Sequence, residues 1–442
     1  METKRYSPLC SAALAALCCI LLTAVLLGGA AFVFPGAFTK KAPDLSGARG
    51  DRSDPAAPVK KGEGSADRTS ASLLGRMLAD GREISGVYVA TVWNLNYPEK
   101  QGMSDEELIA ELDGVISVCR KAKLNTVVFQ VRPMADAFYR SKIFPSSAFI
   151  TGTQGQAPGI DVLDELILRA HANDIAVVAW VNPLRAAKGG LDGLSPANPA
   201  AIHPEYTAAY GGTVWFDPGL PEVRELVARG CAEIAANYEV DGILFDDYFY
   251  PYPKDGESFD DAASYVRYGG GASLADWRRE NVNSLVRESY EAVKAADPDC
   301  LFGIAPFGIW ANDDGVNGGS DTRGLDAYSE IYCDALAWVK GGYVDFLAPQ
   351  IYWDFGHRSA PYATVARWWA DKLADTGVAL LSSNAAYKIA EWSDPGELSN
   401  QVAFDRECGG YSGCLFYSYA AFKDDLNGVV DAMADLFSAD GK

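Results

Sequence analysis

The sequence predicts an α/β fold, a single closed (β/α)8 barrel preceded by an N-terminal transmembrane helix and a flexible tether. Three observations predict it. Eight short, nearly continuous apolar runs recur along the last three-quarters of the chain, the pattern of strands covered on both faces. A helical pattern separates each run from the next. The longest connections follow the third, fourth and fifth runs (182–220, 247–273 and 306–322), which would crowd loop mass onto one end of a barrel, where barrel sites form. A doubly wound open sheet is the competing topology, but no GxGxxG follows an early strand, and GTQGQAPG (152–159) lacks that spacing.

The elements follow in order. The runs are GVYVATVW (86–93), TVVFQV (126–131), AVVAWV (176–181), GILFD (242–246), LFGIA (301–305), FLAPQIYW (346–353), VALLSS (378–383) and GCLFYSY (413–419). The first helix, 105–122, opens with Ser104 and Glu107 at capping-box spacing and carries Leu108, Leu112, Val115 and Ile116 on one stripe. A second spans 160–172. A third, 221–238, begins with Pro221, a residue suited to the first helical turn. Further helical patterns occupy 274–296, 326–339, 362–375, 395–407 and 426–437.

Ahead of the first run, Lys4 and Arg5 precede 34 uncharged residues, and Lys40 and Lys41 follow them. The apolar part exceeds the roughly 20 residues that span a bilayer. Residues 1–41 are therefore expected to be a membrane anchor or, if cleaved near GGAA (28–31), a signal segment. Residues 42–83, beginning with a stretch rich in Gly, Pro, Ser, Asp and Lys, read as a linker, and 84–442 as the barrel, on the outer side of the membrane. Cys408 and Cys414 bracket GGYSG, so a disulfide or two free thiols fit there equally.

Composition excludes whole classes of function. The chain has 442 residues, 49% of them hydrophobic, and a formal net charge of -21. That content is too apolar for a disordered chain. The charge argues against nucleic acid, whose phosphates attract basic partners. With only three histidines, His171, His203 and His357, no HExxH and no paired CxxC units, neither a metal site nor a cofactor is expected.

The candidate site comes from reading the run ends. In a barrel, polar residues there open into the mouth; buried unpaired in mid-strand they would cost several kcal/mol. The second run ends in Gln130 and Arg132, with Asp136 and Tyr139 beyond; the third in Asn182 and Arg185; the fourth in Asp246, Asp247 and Tyr248. Trp310 follows the fifth run, Gln350, Tyr352 and Trp353 close the sixth, and Tyr387 follows the seventh. Carboxylates, amides, arginines and aromatic rings together describe a sugar site. Rings stack on the apolar face of a pyranose, and amides and guanidiniums take its polar groups. Without a histidine for proton transfer, the acid, base or nucleophile falls to Asp246, Asp247 or Asp136, the equipment of glycosidic cleavage. Asp246 is the foremost candidate. Asp247 reaches the same mouth only if the chain curls after Asp246, since neighbouring strand residues point apart. The alternatives are a glycosidase acting on a polysaccharide other than cell-wall glycan, and a barrel that binds carbohydrate without cutting it.

The ordered pieces FQVRPMADAFYRSKIFPSS, AVVAWVNPLRAAKG, FDPGLPEVRE, VDGILFDDYFYP, IAPFGIWAN, LAPQIYWDFG and NAAYKIAEW resemble the glycosyl hydrolase-like 10 family of bacterial envelope proteins. The resemblance covers Ile84 to about Phe437. It implies a TIM barrel distantly similar to α-amylase-type and other barrel glycosidases. Some members resemble a divisome glycosidase that cleaves peptidoglycan glycan strands after their stem peptides are removed, so the implied partner is a cell-wall glycan or oligosaccharide. Asp246 would take the strand-four carboxylate position, with Asp247 as companion. Arg132, Asp136, Asn182, Arg185, Gln350, Tyr352 and Tyr387 would shape the groove. Two departures stand out: Leu184 occupies the aromatic position of the family's NPYR, and DGILFDDY ends in Tyr248 where chitinase-like sites carry Glu.

Overall fold

A computed structural model describes residues 71–438. Eight parallel strands form the centre: β1 (Ile84–Val89), β2 (Thr126–Arg132), β3 (Ala176–Val181), β4 (Gly242–Phe245), β5 (Leu301–Ile304), β6 in two halves (Phe346–Leu347 and Gln350–Ile351), β7 (Ala379–Asn384) and β8 (Tyr411–Phe416). Each pairs with its neighbours in sequence, and β8 returns to β1 with Ile84 opposite Gly413. The sheet is therefore a closed barrel, not a doubly wound open sheet. Gly413 is required at that seam: its φ is +142°, and a Cβ would run into the Ile84 carbonyl.

Strand alternation divides the core into two shells. Tyr88, Val128, Val178, Trp180, Leu244, Leu381 and Leu415 fill the barrel interior. Val87, Val127, Phe129, Val177, Ile243 and Phe245 face the surrounding helices. Those helices include α1 (Leu73–Ala79), α2 (Asp105–Lys121), α3 (Val162–His171), α4 (Pro221–Asn237), α5 (Leu274–Ala296), α6 (Ala335–Gly341), α7 (Tyr362–Leu373), α8 (Glu397–Cys408) and α9 (Val429–Ser438). The expected capping box forms at α2, with Ser104 and Glu107 each bonding the other's amide. Pro221 opens α4.

Several boundaries differ from the sequence reading for identifiable reasons. The helix expected at 326–339 breaks in two because Asp326 and Asp334 each cap a separate start. β6 is split at Ala348 and Pro349, the proline having no amide to give a ladder. The first run leaves the sheet after Val89, and Val92–Asn94 forms a tight turn with Trp93 and Asn94 at positive φ.

The long connection after β3 folds into its own antiparallel sheet, Arg185–Lys188, Thr213–Phe216 and Thr207–Tyr210 in that spatial order. It stands at the C-terminal end of the barrel. The N-terminal end is closed by α1, whose Leu74 and Met77 join the interior shell. This helix lies within the stretch read from sequence as linker. Asp241, just before β4 and 2% exposed, ties the plug in place. It accepts from the Leu73 amide at 2.6 Å, the Val177 amide at 2.8 Å and His171 Nε2 at 2.9 Å. Asp241→Ala leaves these donors without a partner, and chemical denaturation is expected to show a loss of about 3 kcal/mol.

Among the described residues no helix is long and apolar enough to cross a membrane. The expected anchor, 1–41, and the linker up to residue 70 lie outside them. Cys408 and Cys414 are free thiols.

Candidate active site

The alternation that sorts the core also selects what reaches the C-terminal mouth. Continuing inward from Trp180 comes Asn182, and inward from Leu244 comes Asp246. Asp246 is 4% exposed and receives three different donors. Trp180 Nε1 donates at 2.9 Å, the Tyr248 amide at 3.2 Å, and Asn182 Nδ2 spans both oxygens at 3.2 and 3.1 Å. Asn182 is itself fixed by accepting the Arg185 amide at 2.8 Å. Burial pushes the Asp246 carboxyl up to about 6, with Arg185 opposing the rise and Asp247 adding to it.

Asp247 would point outward on an ideal strand. β4 ends at Phe245, however, and the chain turns there, so Asp247 also enters the mouth. It accepts from the Tyr252 hydroxyl and from the Gln350 side chain. Burial raises it too, against those donors and Arg185. Two buried carboxyls on consecutive residues thus interact with each other and with one guanidinium. A protonated carboxyl beside an ionised one is what acid–base chemistry on a glycosidic bond requires.

Arg185 is 7% exposed and wrapped by rings. Its guanidinium lies 4.5 Å from the centre of Tyr248, 5.7 Å from Trp215 and 5.6 Å from Trp93. Across the mouth, Tyr352 stacks on Tyr417 at 5.9 Å and meets the edge of Tyr387 at 6.2 Å. Trp353 sits one ring further out, against Phe307 at 5.7 Å, and Phe307 in turn touches Tyr252 at 6.0 Å. Trp93 and Tyr387 are 47% and 37% exposed, an open pair of faces on this rim. Asp246, Asp247, Asn182, Arg185, Tyr248, Gln350, Tyr352, Trp353 and Tyr387 are therefore assembled around one mouth.

Four expected residues are not. A register shift between Gln130 and Arg132 turns Arg132 to the outer face, opposite Val181. There it lies over Phe144 at 4.7 Å and donates to the Asn182 and Pro183 carbonyls at 2.8 and 2.7 Å. It holds the backbone that carries Asn182 and does not face the mouth. Tyr139 is buried in the helix layer, edge-on to Tyr238 at 5.7 Å. Trp310 stacks on Trp368 of α7 at 5.7 Å and donates to Asp334 at 3.1 Å, so its ring is committed to the outer shell. Asp136 lies in a side cavity of its own, bonded to Gln154 at 3.1 Å. Leu184, in the aromatic position of the resembled motif, is fully buried.

Sequence reasoning passed over Trp93 and Trp215, the two indoles around Arg185. Trp93 was hidden inside an apolar run; the following NLNYP, rich in turn-forming residues, is the signal that the strand ends before it. Among the described residues, no three His, Cys, Asp or Glu side chains are grouped to hold a metal ion. A cavity of about 650 Å³ lies at the opposite, N-terminal end, against Gly75, Leu301 and Ser412. It contains neither member of the carboxyl pair, so cavity size alone does not mark the chemistry.

The chain is similar to known proteins in sequence and in fold. The sequence model of a family described as glycosyl hydrolase-like 10 matches residues 83–396. The chain is 38% identical over 368 residues to glycosyl hydrolase YngK of Bacillus subtilis, covering 81% of this chain and 72% of that one. It is 36% identical over 328 residues to glycosyl hydrolase DigH of Escherichia coli K12, covering 69% and 74%. Among solved structures, the glycoside hydrolase domain of PgaB (BpsB) from Bordetella bronchiseptica superposes with a TM-score of 0.54. That match has 15% identity and covers 80% of this chain and 98% of that one, a likeness of fold.

Proposed function

Because the chain belongs to the glycosyl hydrolase-like 10 family and is a glycoside hydrolase, we propose that its substrate is a cell-wall glycan, peptide-free peptidoglycan above all, cut by Asp246 and Asp247. One observation carries the assignment of the acids: two consecutive carboxyls, both buried, face one ring-lined mouth beneath a shared arginine. Asp246, raised to about 6 by burial, donates a proton to the leaving oxygen. Asp247, held by Tyr252 and Gln350, is the ionised partner that balances charge developing at the anomeric carbon. Asn182 and Trp180 fix the orientation of the donor, and Tyr352, Tyr387 and Trp93 offer faces for sugar rings.

The cell-wall reading is supported by the motif resemblance and by the N-terminal apolar segment with its polar linker, which would hold the barrel outside the cytoplasm near the wall. The test is digestion of peptide-free peptidoglycan, intact peptidoglycan, chitin oligomers and α-glucan by the full chain in detergent, with products weighed by mass spectrometry. Cleavage of the first at the highest rate is expected; preference for α-glucan or chitin would overturn the substrate assignment.

The pH dependence follows from the sign of the shift. A general acid works only while protonated, so kcat/KM is expected to fall as pH rises through the Asp246 pKa of about 6, and to fall on the acid side as well, where Asp247, the partner that must be ionised and that burial also raises, takes up a proton. A pH profile of kcat/KM measures this directly.

A further inference from the structure

Alternation along β7 sends Leu381 into the barrel, so Ser382 and Asn384 turn outward toward α7 and α8. Both are fully buried. The face of α8 that meets them is polar. Glu397, Gln401 and Asp405 recur there at four-residue spacing, one stripe of a helix, and are 5%, 0% and 3% exposed. A helix normally lays an apolar stripe on a barrel, and polar groups buried in its place cost free energy unless they are hydrogen-bonded. These are bonded to one another. Asn384 Nδ2 donates to Tyr362 Oη and to Gln401 Oε1, each at 3.0 Å. Tyr362 donates to Asp405 Oδ2 at 2.7 Å, and Gln401 Nε2 to Glu397 Oε1 at 2.9 Å.

The network ends on the backbone that leaves β6. Gln401 Nε2 also donates to the Trp353 carbonyl at 3.1 Å, and Glu397 Oε1 accepts from the Phe355 amide at 2.9 Å. β6 stops at Ile351, so the sheet ladder does not extend over this segment and side chains take its place. The Phe355 ring is packed against Tyr362 at 5.3 Å and Phe404 at 5.5 Å. Tyr352 and Trp353, the rings that the segment carries to the mouth, thus take their places from groups in the helix layer behind the barrel wall. We propose that Glu397 and Gln401, backed by Asn384, are positioning residues for glycan binding. Acting through the backbone of 353–355, they fix the angle at which the Tyr352 and Trp353 rings face a sugar. The inference rests on the mouth being the place where glycan binds.

Substitutions at the two ends of the network test it. In Glu397→Gln the amide oxygen still accepts from Phe355 and Gln401; in Glu397→Met, of similar length, neither bond survives. Gln401→Met releases the Trp353 carbonyl; should it not fold, Glu397, in the first turn of α8, carries the test. On peptide-free peptidoglycan oligosaccharides, both methionine variants are expected to raise KM about tenfold and to change kcat by less than about threefold, because a misplaced ring weakens ground state and transition state alike. Glu397→Gln should stay within about twofold of the wild type. Trp353→Ala should raise KM as well, and adding Glu397→Met to it should cost no more than about twofold further, since the glutamate acts through that segment. A lower melting temperature with KM unchanged, full additivity with Trp353→Ala, or equal damage from Glu397→Gln and Glu397→Met overturns the proposal. Hydrogen exchange without substrate separates the two ideas. The peptide spanning 352–358 should exchange faster in Glu397→Met than in the wild type or Glu397→Gln. Equal exchange in all three overturns the positioning role whatever the substrate. Faster exchange in Glu397→Met, with no oligosaccharide cut by the wild type, removes the glycan reading while supporting the held segment.

Discussion

Replacing Asp246 or Asp247 by asparagine is expected to lower kcat by about 10²–10⁴-fold, the range for loss of a positioned acid or base. The amide is nearly the same size and can still accept one of the bonds that hold each carboxyl, from Trp180 and Asn182 at Asp246 and from Tyr252 at Asp247. The change therefore removes proton chemistry and charge with little loss of shape, and circular dichroism should report an intact fold. KM should move much less than kcat, because these groups act on the reacting bond more than on sugar hydroxyls. Since the two carboxyls act as one unit, the double variant should be little slower than the worse single one. Two independent losses that multiply would argue that they serve different steps.

The second large effect is expected at Arg185. Its guanidinium lowers the pKa of both aspartates while burial raises them. Arg185→Met removes that opposition and keeps a long side chain to fill the space among Tyr248, Trp215 and Trp93. Both carboxyls should then hold their protons to higher pH. The fall of kcat/KM expected near pH 6 should move upward by about one pH unit or more, as expected when an opposite charge within a few ångströms is lost. At pH 6 the maximal rate should drop about tenfold or more, because the partner that must be ionised is protonated as well. A pH–rate profile of the variant beside the wild type separates these outcomes. A lower rate with the limb in place would make Arg185 a substrate contact and not a governor of the acids.

The barrel was legible because its information is local. Apolar runs with the right spacing, a capping box at Ser104 and Pro221 at a helix start each name an element without reference to anything distant. Asp246 was legible for the same reason: it ends an apolar run, and alternation from Leu244 sends it inward. What stayed hidden depends on where regularity breaks. The register shift beside Arg132 reverses its face. Trp310 leaves β5 toward Trp368, a partner that only tertiary packing supplies. The helix Leu73–Ala79 has seven residues inside a polar stretch, and its two buried residues, Leu74 and Met77, gain their meaning from the open end of a barrel that they plug. Trp93 becomes a rim residue through a left-handed turn that its own run conceals.

The most direct test of the central claim is to let the wild-type chain cut peptide-free glycan in heavy-oxygen water and to weigh the new ends. Cleavage by the Asp246 and Asp247 pair predicts one solvent oxygen in each new reducing end, with release nearly abolished in both Asp→Asn variants. Unlabelled anhydro-sugar ends, or undiminished release by the two variants, would contradict it.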